Sequence, residues 1–85
     1  MPSKPKFQIQ AHKKGGQTVV FDHWGQLVAT GGDDGYIKIF DVEQGKEIQN
    51  YNFKNPVNCL AFSNNNELIV GCSFTKNIKI WNLST

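Results

Sequence analysis

Three residues in this sequence carry the side chains of nucleophilic chemistry: His12 has an imidazole, Thr30 a hydroxyl and Asp34 a carboxylate. Such a set acts as a catalyst only if the hydroxyl is open to substrate and donors await the developing oxyanion. Burial therefore separates the two readings, because a catalytic His12 must be open and a structural one closed. The run Gly31-Gly32-Asp33-Asp34-Gly35 has the composition of a phosphate or calcium loop. It precedes a strand-like segment rather than a helix and lacks a P-loop lysine, so neither motif is satisfied and a tight turn is the better account. Cys59 and Cys72 are the only cysteines. They lack CxxC spacing and have no histidine close by, so zinc is not indicated, and no metal or other cofactor is expected. Two unclustered cysteines point to a reducing compartment. The start Met1-Pro2-Ser3-Lys4-Pro5 lacks the apolar core of a secretory signal, so the expected location is cytoplasmic. On that route the sequon Asn82-Leu83-Ser84 has no meaning.

The charge balance is nearly neutral, at a formal +2, and all nine basic residues are lysine. Without arginine the bidentate contacts that favour phosphate and guanine are missing, which weakens a nucleic-acid reading. Lys4, Lys6, Lys13 and Lys14 crowd the first segment. A solvated strand and loop explains them more simply; lysine-mediated contact with nucleic acid or an anionic membrane is the alternative. No apolar run approaches the roughly 20 residues that cross a bilayer. At 85 residues the chain is at most one small domain, with a modest fraction of its surface to bury.

The elements that must position these residues come from a repeat. Ile37-Lys38-Ile39-Phe40-Asp41-Val42 lies over Ile78-Lys79-Ile80-Trp81-Asn82-Leu83, an offset of 78 − 37 = 41 residues. Without a gap, the same offset sets Val19 over Leu60, Phe21 over Phe62, Leu27 over Leu68, Val28 over Ile69 and Ala29 over Val70. In the first repeat the β-branched and aromatic runs Thr18 to Phe21, Leu27 to Gly31 and Tyr36 to Phe40 predict strands, separated by turns at Gly25, Gly32 to Gly35 and Glu43 to Gly45. The second predicts strands from Val57 to Phe62, Glu67 to Cys72 and Asn77 to Trp81. Asn66 takes the turn place of Gly25, which asparagine's tolerance of a left-handed backbone permits. No helical period competes. The expected fold class is all-β, and a period of about 40–45 residues is that of propeller blades.

These residues resemble the WD-repeat (WD40) family over nearly the whole chain. The resemblance implies antiparallel propeller blades, two WD-type repeats and hence an incomplete propeller. Residues 1–45 would hold the first repeat with a preceding outer strand, and 46–85 the second, lacking its last outer strand. In the family, indole, hydroxyl, imidazole and carboxylate form a hydrogen-bond chain that clips strands and loops together. His12, Thr30 and Asp34 match that chain in the first repeat, with Phe40-Asp41 at the Trp-Asp place. In the second repeat only Trp81 remains, and Phe53, Gly71 and Thr75 replace the polar positions. The resemblance thus implies a structural role for His12, Thr30, Asp34 and Trp81, and no catalytic residue. Phe40 has no donor, so its link to Thr30 should be missing.

Within the family, Pro2-Ser3, Ile9-Gln10-Ala11-His12, Gly15-Gly16 and Thr30-Gly31-Gly32-Asp33 are similar to the C-terminal propeller of the autophagy-related protein 16 family. The amino-terminal segment and coiled coil of that family have no counterpart here, so its lipidation-scaffold activity is not implied. The function expected is a non-catalytic protein-interaction scaffold; a truncated fragment without independent function is a further alternative. Lys13, Lys14, Asp33 and Phe74 fall on the loops that the family uses most for partners, and Trp24 on a turn of the opposite rim. Other proteins are the expected partners, with self-association or docking onto further blades to cover the apolar outer faces.

Overall fold

The computed structural model describes residues 8–15, 18–75 and 77–83. Sequence readings that fall on Pro2, Ser3, Lys4, Lys6, Gly16 and Ser84 lie outside those residues. The described chain is all-β and forms two antiparallel sheets. The first holds β1 (Thr18–Phe21), β2 (Leu27–Gly31), β3 (Tyr36–Asp41) and β4 (Lys46–Asn52), in the order β1-β2-β3-β4. The second holds β5 (Cys59–Phe62), β6 (Leu68–Cys72) and β7 (Ile78–Asn82).

Each turn is closed by the residue type that its geometry needs. Between β1 and β2, Asp22 Oδ1 accepts from the backbone N–H of Gln26 at 2.8 Å and of Leu27 at 3.1 Å, and Gly25 sits at φ 70°. In the matching turn Ser63 Oγ takes the role of the carboxylate, accepting from Leu68 N–H at 3.0 Å. Asn66 there has φ 59°, as its alignment with Gly25 predicts. At the other end of the first sheet Gly35 turns at φ 84°, where a side chain would be strained.

Register carries the repeat into three dimensions. Val20, Ala29 and Ile39 pair across β1, β2 and β3, and Phe21, Val28 and Phe40 pair beside them on the opposite face. In the second sheet the corresponding rows are Ala61-Val70-Ile80 and Phe62-Ile69-Trp81. The core lies where the sheets face each other. Ala29, Ile39 and Ile69 are fully buried in one cluster, flanked by Val20, Leu27, Leu60, Phe62 and Trp81. Ile37, Phe53 and Val57 fill a second cluster against Tyr51 and Trp81. Each isoleucine buried in this way stabilises the pair of sheets by about 1.5–3 kcal/mol. A polar seam runs alongside: Asn66 donates from Nδ2 to Asp22 Oδ2 at 2.6 Å and accepts from His23 N–H at 3.2 Å.

Three sequence readings change. Lys46–Asn52 is a strand that the repeat alignment does not single out, and it pairs with β3 as the outermost strand of the first sheet. Sequence repeat and hydrogen-bonded sheet are therefore out of step. Val57 is read as strand but lies before β5; its N–H donates to Gly32 O at 3.1 Å, so its side chain plugs into the first sheet. Cys59 and Cys72, read as two unclustered cysteines, face each other across β5 and β6 with Cα atoms 5.5 Å apart and are joined by a disulfide. Separation in sequence hid a pairing that only register creates.

This disulfide closes a loop with a sequence separation of 13, which should restrict the unfolded chain by about 2–3 kcal/mol. Urea unfolding of the Cys59→Ser/Cys72→Ser double variant should give an unfolding free energy lower by that amount. Adding reductant to the parent chain should shift it equally, and have no effect on the variant.

Candidate functional site

His12 reaches from the segment before β1 to the junction of β2 with its following turn. Its Nδ1 lies 2.9 Å and 3.1 Å from the two carboxylate oxygens of Asp34, and its Nε2 lies 2.8 Å from Thr30 Oγ1. An ionised carboxylate can only accept, so Nδ1 carries the proton. In the singly protonated ring Nε2 then accepts from the Thr30 hydroxyl. The ring lies against Gly32, where a Cβ would come within 2.7–2.9 Å of His12 atoms, so only glycine leaves it this space. Asp34 also accepts from the backbone N–H of Tyr36 at 3.1 Å and of Lys13 at 3.4 Å. Desolvation pushes the Asp34 carboxyl up, but the hydrogen bonds from the Tyr36 N–H and from His12 outweigh it. The group is held below its ordinary value.

The His12 side chain is wholly inaccessible, and Thr30 is buried beneath it. A hydroxyl in that position cannot meet a substrate. The arrangement joins the entering chain, a strand end and a turn, which is mechanical work. Phe40, at the place of a family tryptophan, is buried beside Val28 and offers no donor.

The second sheet solves the same problem with aromatic surface. Phe53 occupies the place of His12 and is fully buried. It lies over Gly71, where a Cβ would stand 3.3 Å from the ring and 2.8 Å from Ile37 Cδ1. Trp81 stacks on Tyr51 at 5.1 Å and tilts against Phe53 at 6.0 Å. Lys79 donates from Nζ to Phe53 O at 2.8 Å with its charge 4.9 Å from the ring centre. Thr75, at the aspartate place, pairs hydroxyls with Ser73 at 2.5 Å. Sequence alignment located Phe53, Gly71 and Trp81, while the contributions of Tyr51 and Lys79 depend on contacts between elements. Burial of Tyr51 raises its phenol above the ordinary value.

The candidate contact residues fall on two rims. The loops before β1 and between β2 and β3 lie together, with Asp33 N–H donating to Gly15 O at 3.1 Å. Lys13, Lys14 and Asp33 are exposed there. The loop before β5 joins the same end, as Phe53 N–H donates to Gly35 O at 2.7 Å. Phe74, between β6 and β7, is 82% exposed on this rim. Trp24 is exposed on the opposite rim, edge-on to His23. Lys13, Asp34, Tyr36, Lys38 and Asn50 line a groove of about 290 Å³ near the first rim. Tyr36, Lys38 and Asn50 were not singled out by sequence, because their strands supply the groove only after pairing. Among the described residues no His, Cys, Asp and Glu group could hold a metal ion, and no helix is long and apolar enough to cross a membrane.

Residues 6–65 match the Anaphase-promoting complex subunit 4 WD40 domain. Protein tipD of Dictyostelium discoideum is 31% identical over 83 residues, covering 96% of this chain and 14% of that protein. Target of rapamycin complex subunit wat1 of Schizosaccharomyces pombe is 27% identical, over 93% of this chain and 25% of its own length. Autophagy-related protein 16 of Arabidopsis thaliana is 26% identical over the whole chain, which corresponds to 17% of that protein. The chain thus spans a quarter or less of each of these relatives.

Two outcomes follow from the clip. The groove of about 260 Å³ beside Phe40, lined also by Ile9, Phe21 and Val28, leaves room for a wider ring. Phe40→Trp should therefore add a donor toward Thr30 and raise stability by about 1 kcal/mol, with the gain lost in a Thr30→Val background on a double-mutant cycle. Asp34→Asn should lower stability at neutral pH. The Asp34 carboxyl is depressed in the folded chain, so its contribution is complete above the ordinary 3.8 and is lost as pH falls through the lower folded value. The parent and Asp34→Asn unfolding curves should converge below that point.

Proposed function

Because the chain belongs to the WD40-domain family, we propose that it is a non-catalytic protein-interaction scaffold whose partner surface is the rim bearing Lys13, Lys14, Asp33 and Phe74. The observation that carries this reading is Phe74, a large aromatic that is 82% exposed on a rim otherwise lined by charge. Such a side chain stabilises its own fold little and gains most of its burial from a partner. Trp24 offers a second anchor on the opposite rim. The burial of His12 and Thr30 supports a scaffold over a hydrolase.

The autophagy-related name of the Arabidopsis relative supports a place in autophagy-related assemblies. A cytoplasmic location belongs to the same proposal. The Cys59–Cys72 bond removes the argument for it from unclustered thiols. Lysine-mediated binding of nucleic acid or an anionic membrane remains the competing class. Lys13 and Lys14 form a small pair, and among the described residues Lys38 is engaged with Glu47 at 3.8 Å.

Immobilised chain, quantified against proteins retained from a cell lysate, tests the rim. Phe74→Ala should weaken specific retention by about 1–3 kcal/mol and leave unfolding unchanged. A fall in stability instead would place Phe74 in packing between blades. Capture of DNA or anionic vesicles that collapses steeply with added salt would favour the competing class.

A further inference from the structure

The net charge of +2 conceals a division between the two rims. The rim that bears Phe74 collects Lys13, Lys14 and Lys54, all exposed. The opposite rim, formed by the β1–β2, β3–β4 and β5–β6 turns and the strand ends beside them, collects Asp22, Asp41, Glu43 and Glu67 along with Lys46. The loops of the basic rim are tied to one another. Asp33 N–H donates to Gly15 O at 3.1 Å, Phe53 N–H to Gly35 O at 2.7 Å, and Lys79, just past the β6–β7 turn, from Nζ to Phe53 O at 2.8 Å. Among the described residues, Lys13, Lys14 and Lys54 form no ion pair with a carboxylate.

Lys54 stands out among them. It lies at the 41-residue offset from Lys13, so both repeats place a lysine directly after the residue of the joint, His12 or Phe53. Its backbone is left-handed at φ 71°. Its N–H is shared between Asn52 Oδ1 at 2.9 Å and Gly35 O at 3.3 Å, which holds it there. Glycine or asparagine would adopt that conformation at less cost than lysine does. A backbone outlier of this kind points to a use for the side chain it presents.

We propose, on the basis of this rim as the partner surface, that it takes an acidic peptide segment. One large apolar side chain of the peptide rests against Phe74, and flanking carboxylates meet Lys13, Lys14 and Lys54. Phe74 lies at the 41-residue offset from Asp33, so successive loops offer an anion and an aromatic at the same place. That alternation favours discrete carboxylates over a continuous run of phosphates. Asp33 repels a polyanion laid along the rim, whereas a peptide can set a backbone N–H or a neutral side chain there. Lysine ammonium groups attract as point charges without the bidentate fork of a guanidinium, which suits flexible Asp and Glu side chains. Rim charges act on approach and on choice of partner more than on raw affinity. Phe74 is therefore the anchor, and the lysines select what reaches it.

A displayed library of random peptides, selected on the immobilised full chain, tests this, with the best-retained sequence then made as a soluble peptide. Retained peptides should be enriched in Asp and Glu around an aromatic or long aliphatic residue. Lys54→Gly keeps the left-handed backbone and removes the charge, so its unfolding curve should match the parent's or lie above it while binding falls. Should that variant fold poorly, Lys54→Asn serves the same purpose. Combined with Lys13→Gln and Lys14→Gln, the change should weaken binding of the soluble peptide about tenfold. It should also remove the salt dependence that the parent shows. Peptides that need Phe74 but carry no acidic bias, or that are indifferent to the lysines, overturn the acidic partner and leave the rim reading standing. Peptides that bind Phe74→Ala as well as the parent overturn both. A parent chain that prefers duplex DNA or anionic vesicles to the selected peptide at equal salt overturns the proposal as well.

Discussion

The contact between the two sheets is the constraint on which the rest of this molecule depends. Adjacent residues in a strand point to opposite faces, and here both faces are apolar: Val20 and Phe21 in β1, Ile69 and Val70 in β6. A sheet of that kind cannot satisfy itself with one solvated side. It needs a neighbour on each face, and Ala29, Ile37 and Ile39 find theirs in Ile69, Phe53 and Trp81. Removing the second sheet would expose the Ile37 and Ile39 side chains, so neither sheet is a folding unit with a core of its own.

Where the loops meet the sheets, two repeats that align at a 41-residue offset arrive at different chemistry. The first uses His12 between Thr30 and Asp34, a directional polar joint that is buried and fully engaged. The second uses Phe53 over Gly71, with Trp81 and Tyr51 stacked beyond. These are alternative solutions of one geometric problem. A polar joint must satisfy each donor and acceptor or it becomes a liability, whereas an aromatic joint needs shape, and the small Gly71 supplies it. Phe53 at the place of the histidine therefore goes together with Gly71 at the place of the hydroxyl.

Rims and sheet faces differ in what they expose. The rims hold exposed aromatic and charged residues that no internal contact requires, and the sheet faces hold repeated apolar rows that internal packing already uses once. A scaffold assembled from repeats has this division built in: faces join unit to unit, and loops are left to vary. The disulfide between Cys59 and Cys72 lies on a face, not on a rim, so it belongs to the architecture of the sheet.

The sequence by itself determined the strands with apolar alternation, the turn at Asn66 and the 41-residue period, whereas the polar joint of the first repeat was implied by resemblance to the WD-repeat family. Those features are written locally, in a period of two and in turn residues, or show up by sliding the chain along itself. Tertiary structure decided what depends on register and on reach between elements. Lys46–Asn52 is largely polar because an outermost strand meets solvent, so its sequence gives little sign of pairing with β3. Val57 carries the residue type of a strand but acts as a plug, because Gly31 leaves a hole opposite it. Cys59 and Cys72 become partners only through the β5–β6 register, and Tyr51 reaches Trp81 only because one sheet lies on the other. No spacing along the chain encodes those contacts; they exist once two faces have chosen each other.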